Sequence, residues 1–74
     1  MTIKVATIFE KGLLKPVWFI FEKRKYEIKQ IHYRWETKDG AAKVYHFSVN
    51  DGTNVHELSF HDKEMTWKLI RTES

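Results

Sequence analysis

The four histidines are the side chains of this chain best suited to move protons or hold a metal near neutral pH. His56-Glu57-Leu58-Ser59-Phe60-His61 has the outline of a zincin site, but that motif sets its histidines at i and i+4 on a helix. Here the spacing is five, and on a strand it points the two rings to opposite faces. A shared metal is not expected. A two-residue loop at Asp51-Gly52 would set His46 opposite Glu57, with Ser48 and Ser59 on the same face, so a Ser–His–Glu grouping can be drawn. Nucleophilic catalysis needs more: a nucleophile on a strained turn or helix terminus, and donors for an oxyanion. Mid-strand serines on a flat sheet supply neither. The expectation is an ordinary cross-strand polar pair at His46 and Glu57, a half-buried His56 beside Phe47, no enzyme, and no cofactor or metal. Gly12, Gly40 and Gly52 stand singly, so there is no Gly-rich phosphate loop.

A second constellation mixes charge with aromatic rings. Lys23, Arg24, Lys25 and Lys29 surround one turn, and Trp18, Tyr33, Arg34 and Trp35 lie close by in sequence. Small β-barrels bind single-stranded nucleic acid by stacking bases on exposed aromatics inside a basic groove. The charge is uneven in the same sense: residues 1–38 carry a net of +5 and residues 39–74 a net of −2. The competing reading is that Trp18, Tyr33 and Trp35 are core and the charges are solvated. Exposure of the tryptophans separates the two.

The elements follow from composition and pattern. A chain of 74 residues is one domain, 1–74, and needs a core dense in large groups. Three Trp, three Tyr and five Phe provide it, and the absence of Cys removes disulfide staples and favours a reducing cytoplasm. The N-terminus lacks a signal-peptide pattern, and the longest apolar run, Val17 to Phe21, is far too short to span a bilayer as a helix. Helical periodicity is nearly absent. Alternating Val, Ile, Thr and aromatic residues predict about six antiparallel strands: Thr2–Glu10, Leu13–Glu22, Tyr26–Lys38, Ala42–Asn50, Thr53–His61 and Met65–Thr72.

Local chemistry sets the expected registers. Lys11-Gly12 and Asp39-Gly40 read as turns. Lys23-Arg24 as a loop sets Phe21 opposite Tyr26, and Asp51-Gly52, the strongest hairpin signal, sets Phe47 opposite His56. Tyr45, Phe47, Val49, Leu58 and Phe60 then share the core face. Val44, His46, Ser48, Val55, Glu57 and Ser59 share a mostly wet one. Within Tyr26–Lys38, Tyr26 and Ile28 differ in parity from Ile31, Tyr33 and Trp35, so a bulge near Lys29-Gln30, or a strong bend serving two sheets, is required. Such a device closes small barrels.

Lys15-Pro-Val-Trp-Phe-Ile-Phe21, Tyr26-Glu-Ile28, Trp35, Tyr45-His-Phe-Ser-Val49, Asp51-Gly52, Glu57-Leu-Ser-Phe60 and Trp67-Lys-Leu69 together resemble the small all-β prokaryotic proteins grouped as a domain of unknown function of the DUF6504 type. The resemblance implies a β architecture and no mechanism. The sequence thus predicts an all-β meander curled into a partly open barrel, acting as a non-catalytic binding or interaction module. Nucleic acid, a second copy of the chain or another protein are the partners considered, and no membrane.

Overall fold

Large apolar residues recur at every second position, so each strand turns one face inward. Ile3, Phe19, Phe47, Val49, Leu58 and Trp67 meet there as the buried core, flanked by Val5, Leu14, Tyr26, Ile31, Tyr45 and Leu69. The computed structural model describes residues 1–73. It has seven strands: β1 (Thr2–Glu10), β2 (Leu13–Phe21), β3 (Arg24–Glu27), β4 (Gln30–Asp39), β5 (Ala42–Asn50), β6 (Val55–His61) and β7 (Thr66–Glu73). All pair antiparallel in one sheet, in the order β3-β2-β1-β7-β6-β5-β4. The sheet is curled into a half-barrel.

The curl follows from chain continuity. β3 and β4 are consecutive in sequence yet stand at opposite edges of the sheet. Ile28 donates its N–H to Val17 O in β2 (3.0 Å), and the next residue, Lys29, donates to Asn50 O in β5 (2.7 Å). The chain therefore leaves one edge and joins the other within a single step. This is the bend expected between Tyr26 and Lys38; it falls at Ile28-Lys29 and divides the expected strand into two. The phase is repaired three residues later, by a register shift at His32 between Ile31 and Tyr33. As a result Ile31 pairs with Val49 on the core face, while Tyr33 and Trp35 pair with Ser48 and His46 on the other face.

Two expected registers slip by two residues. The tight turn falls at Glu22-Lys23, both at positive φ (52° and 67°), so Phe19 rather than Phe21 faces Tyr26. The loop between β5 and β6 spans 51–54, so Phe47 faces Leu58 and Val49 faces His56. His46 accordingly faces Ser59, not Glu57, which pairs with Ser48. A slip of two preserves side-chain parity, so the predicted core face survives both corrections. The face expected to be wet is drier than predicted: Ser59 is buried and the rest of that set is half-buried.

Closure holds at one end only. β3 covers β2 from Trp18 to Phe21, which leaves Leu13–Pro16 without a strand on that side. Pro16 has no N–H to offer, so a position at a free edge suits it. β1 pairs with β7 through Thr2 and Ile3 alone. Residues Thr7–Leu14 thus form a two-stranded arm standing beyond the rest of the sheet, turned at Lys11-Gly12 with both residues at positive φ.

Candidate binding site in the open mouth of the half-barrel

At the unclosed end, the arm, the β4–β5 wall and the β6–β7 turn frame a cavity of about 810 Å³. Alternation along β5, β6 and β7 points Tyr45, Phe47, Phe60 and Trp67 into it. Their rings stand together, with centroids 5.1 Å apart for Phe60–Trp67, 5.6 Å for Phe47–Trp67 and 6.4 Å for Tyr45–Phe60. The rim is apolar as well: Phe9 is 80% exposed, Met65 72%, and Leu13 is also exposed. A mouth of this size, walled by aromatics with a few polar groups, falls within the range of about 300–1,000 Å³ typical of small-molecule sites.

Three charged side chains reach the lining: Arg34, Glu36 and Asp62. Arg34 crosses from β4 to the arm, donating from Nη1 to Leu14 O (3.1 Å), and its Cζ lies 5.3 Å from the Phe47 ring centroid. Glu36 meets Lys43 Nζ at 3.7 Å, and Asp62 Oδ1 accepts the Lys43 backbone N–H (3.0 Å). A second, more polar concavity of about 590 Å³ follows the seam between β2 and the start of β4, past Lys15, Lys29, His32 and Tyr33.

The residues singled out for nucleic acid are distributed over this frame in two groups. Trp18, Arg24 and Lys25 stand together at the β2–β3 hairpin, with Lys25 Nζ 4.7 Å from the Trp18 ring centroid and Arg24 Cζ 5.4 Å from that of Tyr26. Lys23 is exposed in the turn, and Lys29 pairs with Glu27 (3.5 Å). Trp35 stands on β4, 40% exposed and stacked on His46 with centroids 5.1 Å apart. Arg34, its neighbour, turns to the opposite face, where it borders both the mouth and the second concavity. Trp18 is half-buried and Tyr33 exposed, so neither tryptophan belongs to the interior core.

Outside the mouth, the structure builds a polar triad that the sequence reading missed. His56 is buried (2% exposed) against the stacked rings of Phe19 and Tyr26, meeting both edge-on at 5.0 and 5.4 Å. Its Nε2 lies 2.7 Å from Asp51 Oδ2 and its Nδ1 2.8 Å from Thr72 Oγ1. An ionised carboxylate only accepts, so Nε2 carries the proton in this bond. Asp51 also accepts the N–H groups of Thr53 (2.8 Å) and Asn54 (2.7 Å) on Oδ1. Burial alone would raise the Asp51 carboxyl; the Asn54 N–H, the His56 ring and the Thr53 N–H outweigh it and hold the group at about 2. The Asp–His–Thr order has the outline of a nucleophile relay, yet none of the three residues lines either concavity. What it does is tie the β5–β6 loop to β7. The Asp51-Gly52 signal could have revealed it, since an Asp at a loop start so often caps its own backbone.

The other histidines make local contacts. His46 Nε2 pairs with Thr37 Oγ1 (2.8 Å), while its buried Nδ1 has no partner among the described residues. His61 meets Asp39 (3.2 Å) and accepts the Glu64 N–H (3.1 Å), on the face opposite His56. Among the described residues no cluster of three or more His, Asp or Glu is placed to hold a metal ion, and no helix is long and apolar enough to cross a membrane. The aromatic floor of the mouth was read from sequence simply as core. The signal that distinguishes it is Phe9 and Leu13: apolar residues flanking a hairpin turn have no strand beyond them to cover them. Comparison of the chain with protein-family models, with curated proteins and with solved structures finds no match.

Proposed function

We propose that this chain is a non-catalytic binding module whose ligand is a small molecule with an apolar or aromatic body, seated in the open mouth of the half-barrel. The observation behind the reading is the continuity of apolar surface from an aromatic floor to an exposed rim. Large apolar groups left in water around a concavity favour binding, because covering them recovers roughly 25 cal/mol per Å². Phe47, Phe60 and Trp67 are held by the sheet itself, so little order is lost when a ligand arrives. The nucleic-acid alternative has less behind it. Lys25 already occupies the Trp18 ring and His46 the Trp35 ring, and Arg34 faces away from both.

The test is a titration with N-phenyl-1-naphthylamine, an uncharged dye that brightens in apolar sites, with tryptophan emission as the energy donor. Saturable binding is expected, weakened several-fold in Phe9→Asp and Met65→Asp. Both side chains are exposed, so thermal stability should change little. Dye binding that ignores both rim substitutions would refute the proposal, as would no binding at all. An oligonucleotide arm tests the alternative: salt-dependent binding lost on charge reversal at Lys23, Arg24 and Lys25 would favour nucleic acid.

A further inference from the structure

Arg34 gives the mouth a polarity. Its guanidinium carries a positive charge and five N–H donors. One donor is taken by Leu14 O. No carboxylate lies within ion-pair distance of it among the described residues, whereas Lys15, Lys29, Lys43 and Arg71 all have acidic partners. The Phe47 ring centroid lies 5.3 Å from the Arg34 Cζ, a cation–π distance that leaves the positive charge in place.

Of the two acidic groups of the lining, Glu36 follows Arg34 by two residues on the same face of β4, about 7 Å along the strand, and Asp62 stands farther off. Phe47, opposite Arg34, is four residues along β5 from Lys43, the residue that engages both Glu36 and Asp62. At about 3.3 Å per residue that places Asp62 roughly 13 Å along the strand, with Glu36 between and turned to Lys43. The cavity thus has a cation without an acidic partner at one end, an aromatic floor along its length, and two acidic groups beyond the cation that are engaged by Lys43. We infer that the ligand of this site is an amphipathic anion: an apolar or aromatic body that ends in a carboxylate, sulfonate or phosphate group, received by Arg34. A guanidinium presents two parallel N–H groups to such a head, which fixes its orientation as well as its charge.

This inference rests on the binding proposal above, and the two fail separately. The probes are 1-anilinonaphthalene-8-sulfonate, which carries an anionic group, and N-phenyl-1-naphthylamine, which has a closely related body without one. The wild-type chain should bind the sulfonate more tightly. Arg34→Gln should weaken the sulfonate about 10- to 100-fold, the loss expected for a charged hydrogen bond, and leave the neutral dye within about two-fold. Arg34→Lys should recover part of the sulfonate affinity. Melting curves of both variants confirm that the arm contact at Leu14 has not cost the fold. If the neutral dye binds and the sulfonate ignores Arg34→Gln, the anion inference is overturned and the binding proposal stands. If both dyes weaken equally, Arg34 only shapes the wall, and the inference is again overturned. If neither dye binds the wild type, both fall.

Discussion

Replacing Asp51 with Asn should make the stability of this fold less dependent on acid. The Asp51 side chain is only 9% exposed, and its carboxylate accepts two backbone N–H bonds and the His56 ring. These contacts bring its pKa from 3.8 to about 2. A carboxyl whose folded pKa is lowered stabilises the fold above its unfolded pKa, and loses that contribution as pH falls through the folded value. At about 1.4 kcal/mol for each tenfold change in proton affinity, the contribution is roughly 2 kcal/mol, present at pH 5 and above and mostly gone by about pH 2.5. Urea unfolding from pH 7 down to 2.5, in parallel for wild type and Asp51→Asn, isolates it from the other carboxyls. At neutral pH the variant should be less stable by about 1–3 kcal/mol, because an amide N–H₂ or a mispaired ring replaces the short bond to His56. The gap between the curves should narrow by roughly 2 kcal/mol below pH 5. Parallel curves across the whole range would refute the reasoning and show that Asp51 is not held ionised by its contacts.

The remaining predictions concern single sites. Thr72→Val removes the hydroxyl that faces buried His56 Nδ1 and should cost about 1–3 kcal/mol by urea unfolding, whereas Thr72→Ser should recover most of it. Lys23→Gly relieves a positive φ of 67° in the β2–β3 turn and should raise stability by about 1 kcal/mol, seen as a higher melting temperature. Leu58→Ala empties the centre of a fully buried cluster and should cost about 2–5 kcal/mol, enough to unfold a domain of this size at moderate temperature. Trp35→Ala strips one face of His46 and should leave the melting temperature within a few degrees, since the ring is 40% exposed and outside the core.

The faces of this sheet were legible in the sequence and its registers were not. Alternation assigned Tyr45, Phe47, Val49, Leu58 and Phe60 to the inward face correctly, because burial reads side-chain parity directly. The Lys23-Arg24 and Asp51-Gly52 loops were each misplaced by an amount that parity cannot detect. In the second case the Asp51 carboxylate, by capping Thr53 and Asn54 and reaching His56, outweighed the preference of Asp-Gly for a two-residue turn. The phase conflict within Tyr26–Lys38 correctly announced a bend. Its placement at Ile28-Lys29, with the bulge at His32, depended on a hydrogen bond to Asn50 that no local pattern encodes. The mouth was hidden for a related reason: a pattern marks which residues face inward, but not whether the barrel has closed over them. Tyr45, Phe60 and Trp67 look the same in sequence whether they are sealed or line an opening.

The ligand binding proposed for this chain depends on that opening. Titrating ¹⁵N-labelled protein with N-phenyl-1-naphthylamine and following ¹H–¹⁵N correlation spectra tests it most directly. The proposal predicts saturable shifts at the Trp67 indole and along Thr7–Leu14, Arg34–Glu36 and Tyr45–Phe47, with Trp18, Lys25 and the Asp51–His56–Thr72 triad unmoved. Shifts centred on the β2–β3 hairpin, or none that saturate, would contradict it.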